Sequence, residues 1–289
     1  MMKKNKYKYE FDWHLTDACN FNCVYCHPQI AEVKNRKLPY RKSTEEIAES
    51  FNKLGGNCHI FMSGGEPFLY PNFVKLCKLL IKGRNYIGIN TNFSVRDKIK
   101  KFAYEIDPRY ITGIYASLHI LERERLGLKI DDFIEDCLLF QKKKFPFTVY
   151  YVMYPPLLNR FKRDCEFLLK SGIKNIACKL FKGFYKEKKY PDSYTMREKK
   201  LITTCKWNKY KYTKAYLNKE TYEVKNKLCR AGVTFFKIEV DGRVHRCPAD
   251  EEDFGNIFQG IFRPKCNPYS CRVNEGLSLS QCKANIVNL

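Results

Sequence analysis

Acidic residues are scarce in this chain of 289 residues. Only 31 Asp and Glu stand against 53 Lys and Arg, a formal net charge of +22 at pH 7. Such an imbalance attracts anionic substrates or nucleic acid. An AT-rich coding bias, which favours the abundant Lys, Asn, Ile, Tyr and Phe, explains part of it. No apolar run approaches the roughly eighteen residues that cross a bilayer, which argues against a membrane protein. Met1 to Glu10 is basic and has no apolar h-region, which argues against a secretory signal. Internal repeats and low-complexity linkers are also lacking. Cysteine, by contrast, is plentiful at fourteen. Without an export signal, so many thiols point to a reducing compartment, the cytoplasm, and to metal rather than disulfides.

Three of these cysteines, Cys19, Cys23 and Cys26, form a C-x3-C-x2-C run. Thiolates are the usual ligands of a [4Fe–4S] cube, and three of them leave one iron open for a small molecule. The alternatives are a Cys3His zinc site that adds His27, and a disulfide framework. About forty residues on, Ser63-Gly64-Gly65-Glu66-Pro67 follows an apolar strand. Its glycines offer bare backbone where close approach is needed.

The two motifs together resemble those of the radical S-adenosylmethionine (SAM) superfamily. The resemblance implies that Cys19, Cys23 and Cys26 hold a [4Fe–4S] cluster whose open iron binds SAM. It implies that Gly64, Gly65, Glu66 and Pro67 bind the SAM amine and that Tyr25 lies near the adenine. It further implies an acidic flavodoxin or ferredoxin as electron donor, a partner that the positive charge suits.

From residue 9 to 180 the pattern alternates strand and helix. Strands are predicted at Tyr9–Leu15, Cys58–Met62, Tyr86–Asn90, Ile111–Leu118, Phe147–Met153 and Ile173–Leu180. Helices are predicted at Thr44–Leu54, Asn72–Lys82, Val95–Tyr104, Asp131–Lys143 and Arg160–Lys170. Six such strands make a parallel sheet covered by helices, with ligands at the carboxyl ends of the strands. The expected fold is α/β: a partial (β/α)6 TIM-like barrel over residues 1–181. Strand ends supply further candidates. Asn92 and Ser117 are cofactor-binding candidates, Ser117 by the family's use of that strand end. His119 is a candidate acid or base, against the blander reading of a structural hydrogen-bonding group.

Residues 182–228 read as a basic aromatic connector, with Trp207, Tyr210, Tyr212 and Tyr216 among its lysines. Stacking on nucleic-acid bases is conceivable for such a stretch, but a solvated connector is the preferred reading. Beyond it, Phe235–Val240, an Asp241-Gly242 turn and Arg243–Cys247 read as a hairpin. That hairpin brings Cys229 and Cys247 toward one centre. The C-x12-G-x4-C spacing of Cys229, Gly242 and Cys247, with Gly255-Asn256-Ile257, resembles the SPASM/twitch extension of radical SAM enzymes. The usual C-x2-C-x5-C-x3-C run is missing, so the resemblance implies the shorter twitch form with one auxiliary [4Fe–4S] cluster. Cys266 and Cys271 are the favoured remaining ligands and Cys282 competes with them. A zinc knuckle is the alternative. A small twitch/SPASM-like domain is therefore expected over 229–289.

The chemistry implied by the family is reductive cleavage of SAM to a 5′-deoxyadenosyl radical, which takes a hydrogen atom from substrate. Oxidation or epimerisation of a small polar metabolite, sugar-like or cyclitol-like, is the first expectation. Peptide modification is the second; strand one begins near residue 9, which leaves no room for an N-terminal peptide-recognition domain. RNA modification, or a non-enzymatic iron–sulfur or zinc nucleic-acid module, ranks below these. An epimerase needs a thiol hydrogen donor, and Cys178 and Cys205 are the candidates. Oxidation needs none and is preferred.

Overall fold

The computed structural model describes residues 6–26, 42–207, 217 and 227–271. His27, Tyr210, Tyr212, Tyr216 and Cys282 lie outside the described residues. Six strands follow the expected order: β1 (Glu10–Thr16), β2 (His59–Gly64), β3 (Tyr86–Thr91), β4 (Ile111–Ser117), β5 (Phe147–Met153) and β6 (Ile176–Leu180). The helices between them are α1 (Thr44–Asn52), α2 (Phe73–Lys82), α3 (Arg96–Glu105), α4 (Ile120–Arg125), α5 (Ile130–Lys142) and α6 (Phe161–Lys170). The fold is α/β, with a mostly parallel sheet of six strands as in a partial TIM barrel. Among the described residues no helix is long and apolar enough to cross a membrane.

The chain divides into two compact units. The first takes the described residues of 1–18, 36–89 and 221–289. Strand β1 alternates half-buried Glu10, Asp12 and His14 with buried Phe11, Trp13 and Leu15. The buried set faces the helices: Trp13 packs on Phe51 of α1 with ring centroids 4.9 Å apart. Ser43 caps α1 reciprocally with Glu46, as the sequence suggested. Strand β2 runs parallel to β1 and β3.

The C-terminal region belongs to this unit. Strand β10 (Phe235–Ile238) pairs in parallel with β1, Phe236 opposite Phe11. The expected Asp241-Gly242 turn then leads to β11 (Arg243–Cys247), followed by antiparallel β12 (Asp250–Asn256) and β13 (Ile261–Phe262). A separate pair, β9 (Leu228–Cys229) and β14 (Tyr269–Ser270), is also antiparallel. Burial of Phe236 among Phe11, Phe254 and Phe262 accounts for the attachment of β10 to β1.

The second unit takes the described residues of 19–35 and 90–220. Strands β4, β5 and β6 are parallel, Ser117 opposite Tyr150 and Tyr151 opposite Cys178. A core of Phe93, Phe133, Phe140 and Phe147 fills the helix side. The start of the connector is more regular than its composition suggested. It forms a hairpin, β7 (Gly183–Tyr185) and β8 (Lys188–Tyr190), and helix α7 (Met196–Thr204), boxed by Thr195 and Glu198.

Candidate active site

Within the first unit, the loops after β1 and β2 are joined by backbone. The Gly65 N–H donates to Thr16 O (2.6 Å) and the Glu66 N–H to Ala18 O (2.7 Å). Both glycines are needed by the chain itself. A Cβ on Gly64, whose φ is +117°, would lie 2.4 Å from the His14 ring and 2.5 Å from Thr16 O. A Cβ on Gly65 would lie 2.1 Å from Ala18 O. Glu66 is fully buried, and its carboxylate accepts the Phe68 N–H to cap the short 3₁₀ turn Pro67–Leu69.

The same unit carries a polar group that the sequence reading did not single out. On the β1 face opposite the helices, His14 Nε2 lies 2.9 Å from Asp17 Oδ1, and His14 Nδ1 lies 3.9 Å from Glu239. Lys237 lies 4.0 Å from Asp12, its register partner. Burial, then the Lys237 charge, pushes the His14 imidazole down to about 4, so it is neutral at pH 7. Three carboxylates therefore face one lysine here, in a chain that is strongly basic overall. The alternation of β1 carried the signal for Asp12 and His14. Lys237 and Glu239 arrive through the parallel pairing of β10, which no local pattern reveals.

In the second unit, Cys19, Cys23 and Cys26 are half-buried on one loop closed by a Cys26 N–H to Cys23 O bond (2.9 Å). Asn92 braces this loop. Its Nδ2 donates to Asn20 Oδ1 (2.9 Å) and points at Cys19 Sγ (3.8 Å), while its Oδ1 accepts from Ser94. Asn22 N–H donates to the Glu122 carboxylate. Buried Arg123 donates to the carbonyls of Asn92, Phe93 and Leu118, and its guanidinium lies over Phe133 and Phe21. Glu122 and Arg123 lie on α4, whose charged sequence gave no strong helical signal.

Tyr25 is buried and stacks on His119, ring centroids 5.6 Å apart, with its hydroxyl 3.3 Å from His119 Nδ1. Tyr154 packs on the other contact of Tyr25 at 5.0 Å. Burial, followed by the charges of Arg123 and Lys179, pushes His119 down to about 3. It is thus neutral at pH 7 and stacked on Tyr25. Ser117 is buried at the end of β4 and shares a face with Tyr150.

Cys178 is placed on the other face. It is the register partner of Tyr151, whose hydroxyl donates to Asp164 of α6, so it points to the helix side. There it contacts Cys165 and Cys205, with Cys205 Sγ 3.8 Å away. The hydrogen bond to Cys165 raises the Cys178 thiol above its ordinary range. The two candidate thiol donors, Cys178 and Cys205, are thus brought next to each other beside Cys165.

Of the C-terminal cysteines, Cys229 and Cys271 are buried together and Cys247 packs against them, whereas Cys266 is exposed. Among the described residues, no three His, Cys, Asp or Glu side chains converge on a single metal ion. Zinc at about 2.3 Å from each sulfur would hold thiolates roughly 3.8 Å apart. A cube spreads its thiolates over different irons. The donor set at Cys19, Cys23 and Cys26, thiols on one partly exposed loop with an amide directed at one sulfur, fits such a cluster by its chemistry.

The radical SAM superfamily model matches residues 13–168, more than half of the chain. The protein belongs to the radical SAM superfamily, whose cofactors are a [4Fe–4S] cluster and SAM. Among curated relatives, GTP 3',8-cyclase of Pseudomonas fluorescens (strain Pf0-1) is 30% identical over 114 residues, 38% of this chain and 33% of the relative. GTP 3',8-cyclase of Thermodesulfovibrio yellowstonii (strain ATCC 51303 / DSM 11347 / YP87) is 33% identical over 134 residues, 42% and 39% of the two chains. The chain thus matches about a third of the length of such relatives. Among solved structures, Streptococcus suis SuiB superposes with a TM-score of 0.61 at 16% identity, covering 88% of this chain and 64% of SuiB. The structure of anSMEcpe with bound AdoMet gives 0.57 at 19% identity, covering 86% and 78%. At these identities the likeness is one of fold.

Proposed function

We propose that the protein is a radical SAM oxidoreductase acting on a small, polar, unphosphorylated metabolite. The observation that carries this reading is the set Asp12, His14, Asp17, Lys237 and Glu239 on one face of β1 and β10. Its three carboxylates accept hydrogen bonds from hydroxyl or ammonium donors and repel phosphate. The GTP substrate in the relatives' name therefore does not suit this face.

Cys19, Cys23 and Cys26 are the residues that would hold the first cluster, and Cys229, Cys247 and Cys271 part of an auxiliary one. A first cluster bound there would supply reductive cleavage of SAM to a 5′-deoxyadenosyl radical able to take a hydrogen atom from substrate. In an oxidation the substrate radical then gives up one electron and one proton. An auxiliary cluster held by the C-terminal cysteines would supply an electron acceptor, and the carboxylates of Asp12, Asp17 and Glu239 are the groups that would take the proton. Tyr25, held by His119 and Tyr154, offers a flat buried surface for the adenine. Loops braced by Asn92 and Arg123 keep the cysteines in place. An acidic flavodoxin or ferredoxin is the donor that the +22 charge favours.

A peptide substrate is the second reading, favoured by the fold likeness to anSMEcpe, one structure of which holds AdoMet and the Kp18Cys peptide. The test is 5′-deoxyadenosine formation by anaerobically reconstituted protein with SAM and dithionite. Sugars, cyclitols and their amines, their phosphates, GTP and short peptides are supplied in turn. Stimulation of about tenfold or more by an unphosphorylated polyol or amine, with a product two mass units lighter, is the expected result. Stimulation by phosphorylated compounds or GTP alone would overturn the reading, and stimulation by peptides alone would favour the second.

A further inference from the structure

Arg246 is 1% exposed, the most buried cation among the described residues. A charge so buried must be paired and hydrogen-bonded. Its Nε donates to Ala231 O (3.2 Å) and one terminal nitrogen to Asp250 (2.9 Å). The other donates to Tyr269 O (3.3 Å) and Ser270 O (3.0 Å), while the guanidinium lies 3.8 Å over the Tyr269 ring. Tyr269 is held in turn by its hydroxyl donating to Glu252 (2.8 Å).

These acceptors have one thing in common: nearly all adjoin a cysteine. Ala231 is two residues past Cys229, Tyr269 and Ser270 lead into Cys271, and Arg246 itself precedes Cys247. Tyr269 is the register partner of Cys229, and the Cys271 N–H donates to Lys227 O (2.9 Å). One side chain on β11 thus ties together the segments next to Cys229, Cys247 and Cys271. No Arg246 acceptor lies within two residues of exposed Cys266.

We propose that Arg246 is a positioning residue that gathers Cys229, Cys247 and Cys271 as ligands of the auxiliary cluster and leaves Cys266 outside the set. The inference rests on reading the C-terminal region as a cluster site. Only a planar fork with donors on three nitrogens can reach these segments at once; lysine offers a single point.

The test is iron and sulfide content and the electron paramagnetic resonance (EPR) spectrum of the full chain after anaerobic reconstitution, with circular dichroism melting as the folding control. Wild type is expected to hold about eight irons in two clusters. Arg246→Met and Cys271→Ala should each hold about four and keep SAM binding, Arg246→Lys should lose more than half of the second cluster's signal, and Cys266→Ala should keep about eight. Wild-type iron and spectrum in both Arg246 variants would overturn the positioning role. Loss of iron in Cys266→Ala would overturn the ligand set. Wild type with about four irons would instead overturn the auxiliary-cluster reading itself. Should Arg246→Met fail to fold, Asp250→Asn releases one arm of the fork and is expected to shift the second cluster's spectrum; an unshifted spectrum counts against the role.

Discussion

Gly65 packs so tightly on Ala18 that a Cβ there would fall 2.1 Å from the Ala18 carbonyl oxygen. Ala18 immediately precedes Cys19 in the chain, so displacing its carbonyl pulls on the backbone that leads to the first thiol. A substitution at Gly65 therefore cannot touch SAM binding alone. Gly65→Ala is expected to lower both the iron content of the first cluster and SAM affinity, and Gly65→Val more so. Iron analysis beside equilibrium SAM binding checks this. Full iron with SAM binding lost would show that the glycine serves the ligand and not the loop.

Tyr25 and His119 invite a separate experiment. Because His119 is pushed down to about 3, it does not titrate between pH 5 and 8. Its φ of +45° lies in the left-handed region, which Asn tolerates best among side-chain-bearing residues. His119→Asn should thus keep the backbone, lose the stack on Tyr25 and weaken SAM binding by roughly tenfold, about 1.4 kcal/mol. The pH–rate profile should keep its shape. An inflection near pH 6.5 that disappears in the variant would restore His119 as an acid or base.

For the thiols, Cys178→Ala and Cys205→Ala are both expected to retain turnover, with no solvent deuterium entering the product carbon. The reason is positional: Cys178 shares the helix side with Tyr151 and Cys165. Truncating it removes packing and lowers the melting temperature by a few degrees. Deuterium incorporation that either variant abolishes would return the protein to the epimerases.

Much of the barrel was legible because strand alternation and helix periodicity are local. β1, with Phe11 and Trp13 on one side and Asp12 and His14 on the other, follows directly from burial of aromatics. Both motifs were placed correctly after strands one and two. The glycine segment was read for a ligand; the structure adds that it also packs tightly on His14, Thr16 and Ala18. What stayed hidden depends on distant pairing. The sequence predicts the hairpin at Asp241-Gly242 but not that β10 lies parallel to β1, which brings Glu239 beside His14. Likewise α4 carries few apolar residues, and no helix was predicted there. The burial of its Arg123 and Glu122 against Phe21, Phe133 and the Asn22 amide is tertiary.

Three histidines give the chain a defined acid sensitivity. Burial is the largest cause in each case: His14 and His59 are pushed down to about 4 and His119 to about 3. In the unfolded chain all three titrate near 6.5. Above that value neither state carries the protons. As pH falls below 6.5, the unfolded chain binds protons that the folded chain refuses until about pH 4 or 3, so stability declines through that window. Between pH 7 and 5 the melting temperature should fall by on the order of 10 °C, before paired carboxylates add their own loss. His119→Asn removes one of the three groups and should flatten the decline between pH 6.5 and 5. A melting temperature independent of pH over that interval, in the presence of a normally folded wild type, would show that these imidazoles are not held neutral by burial.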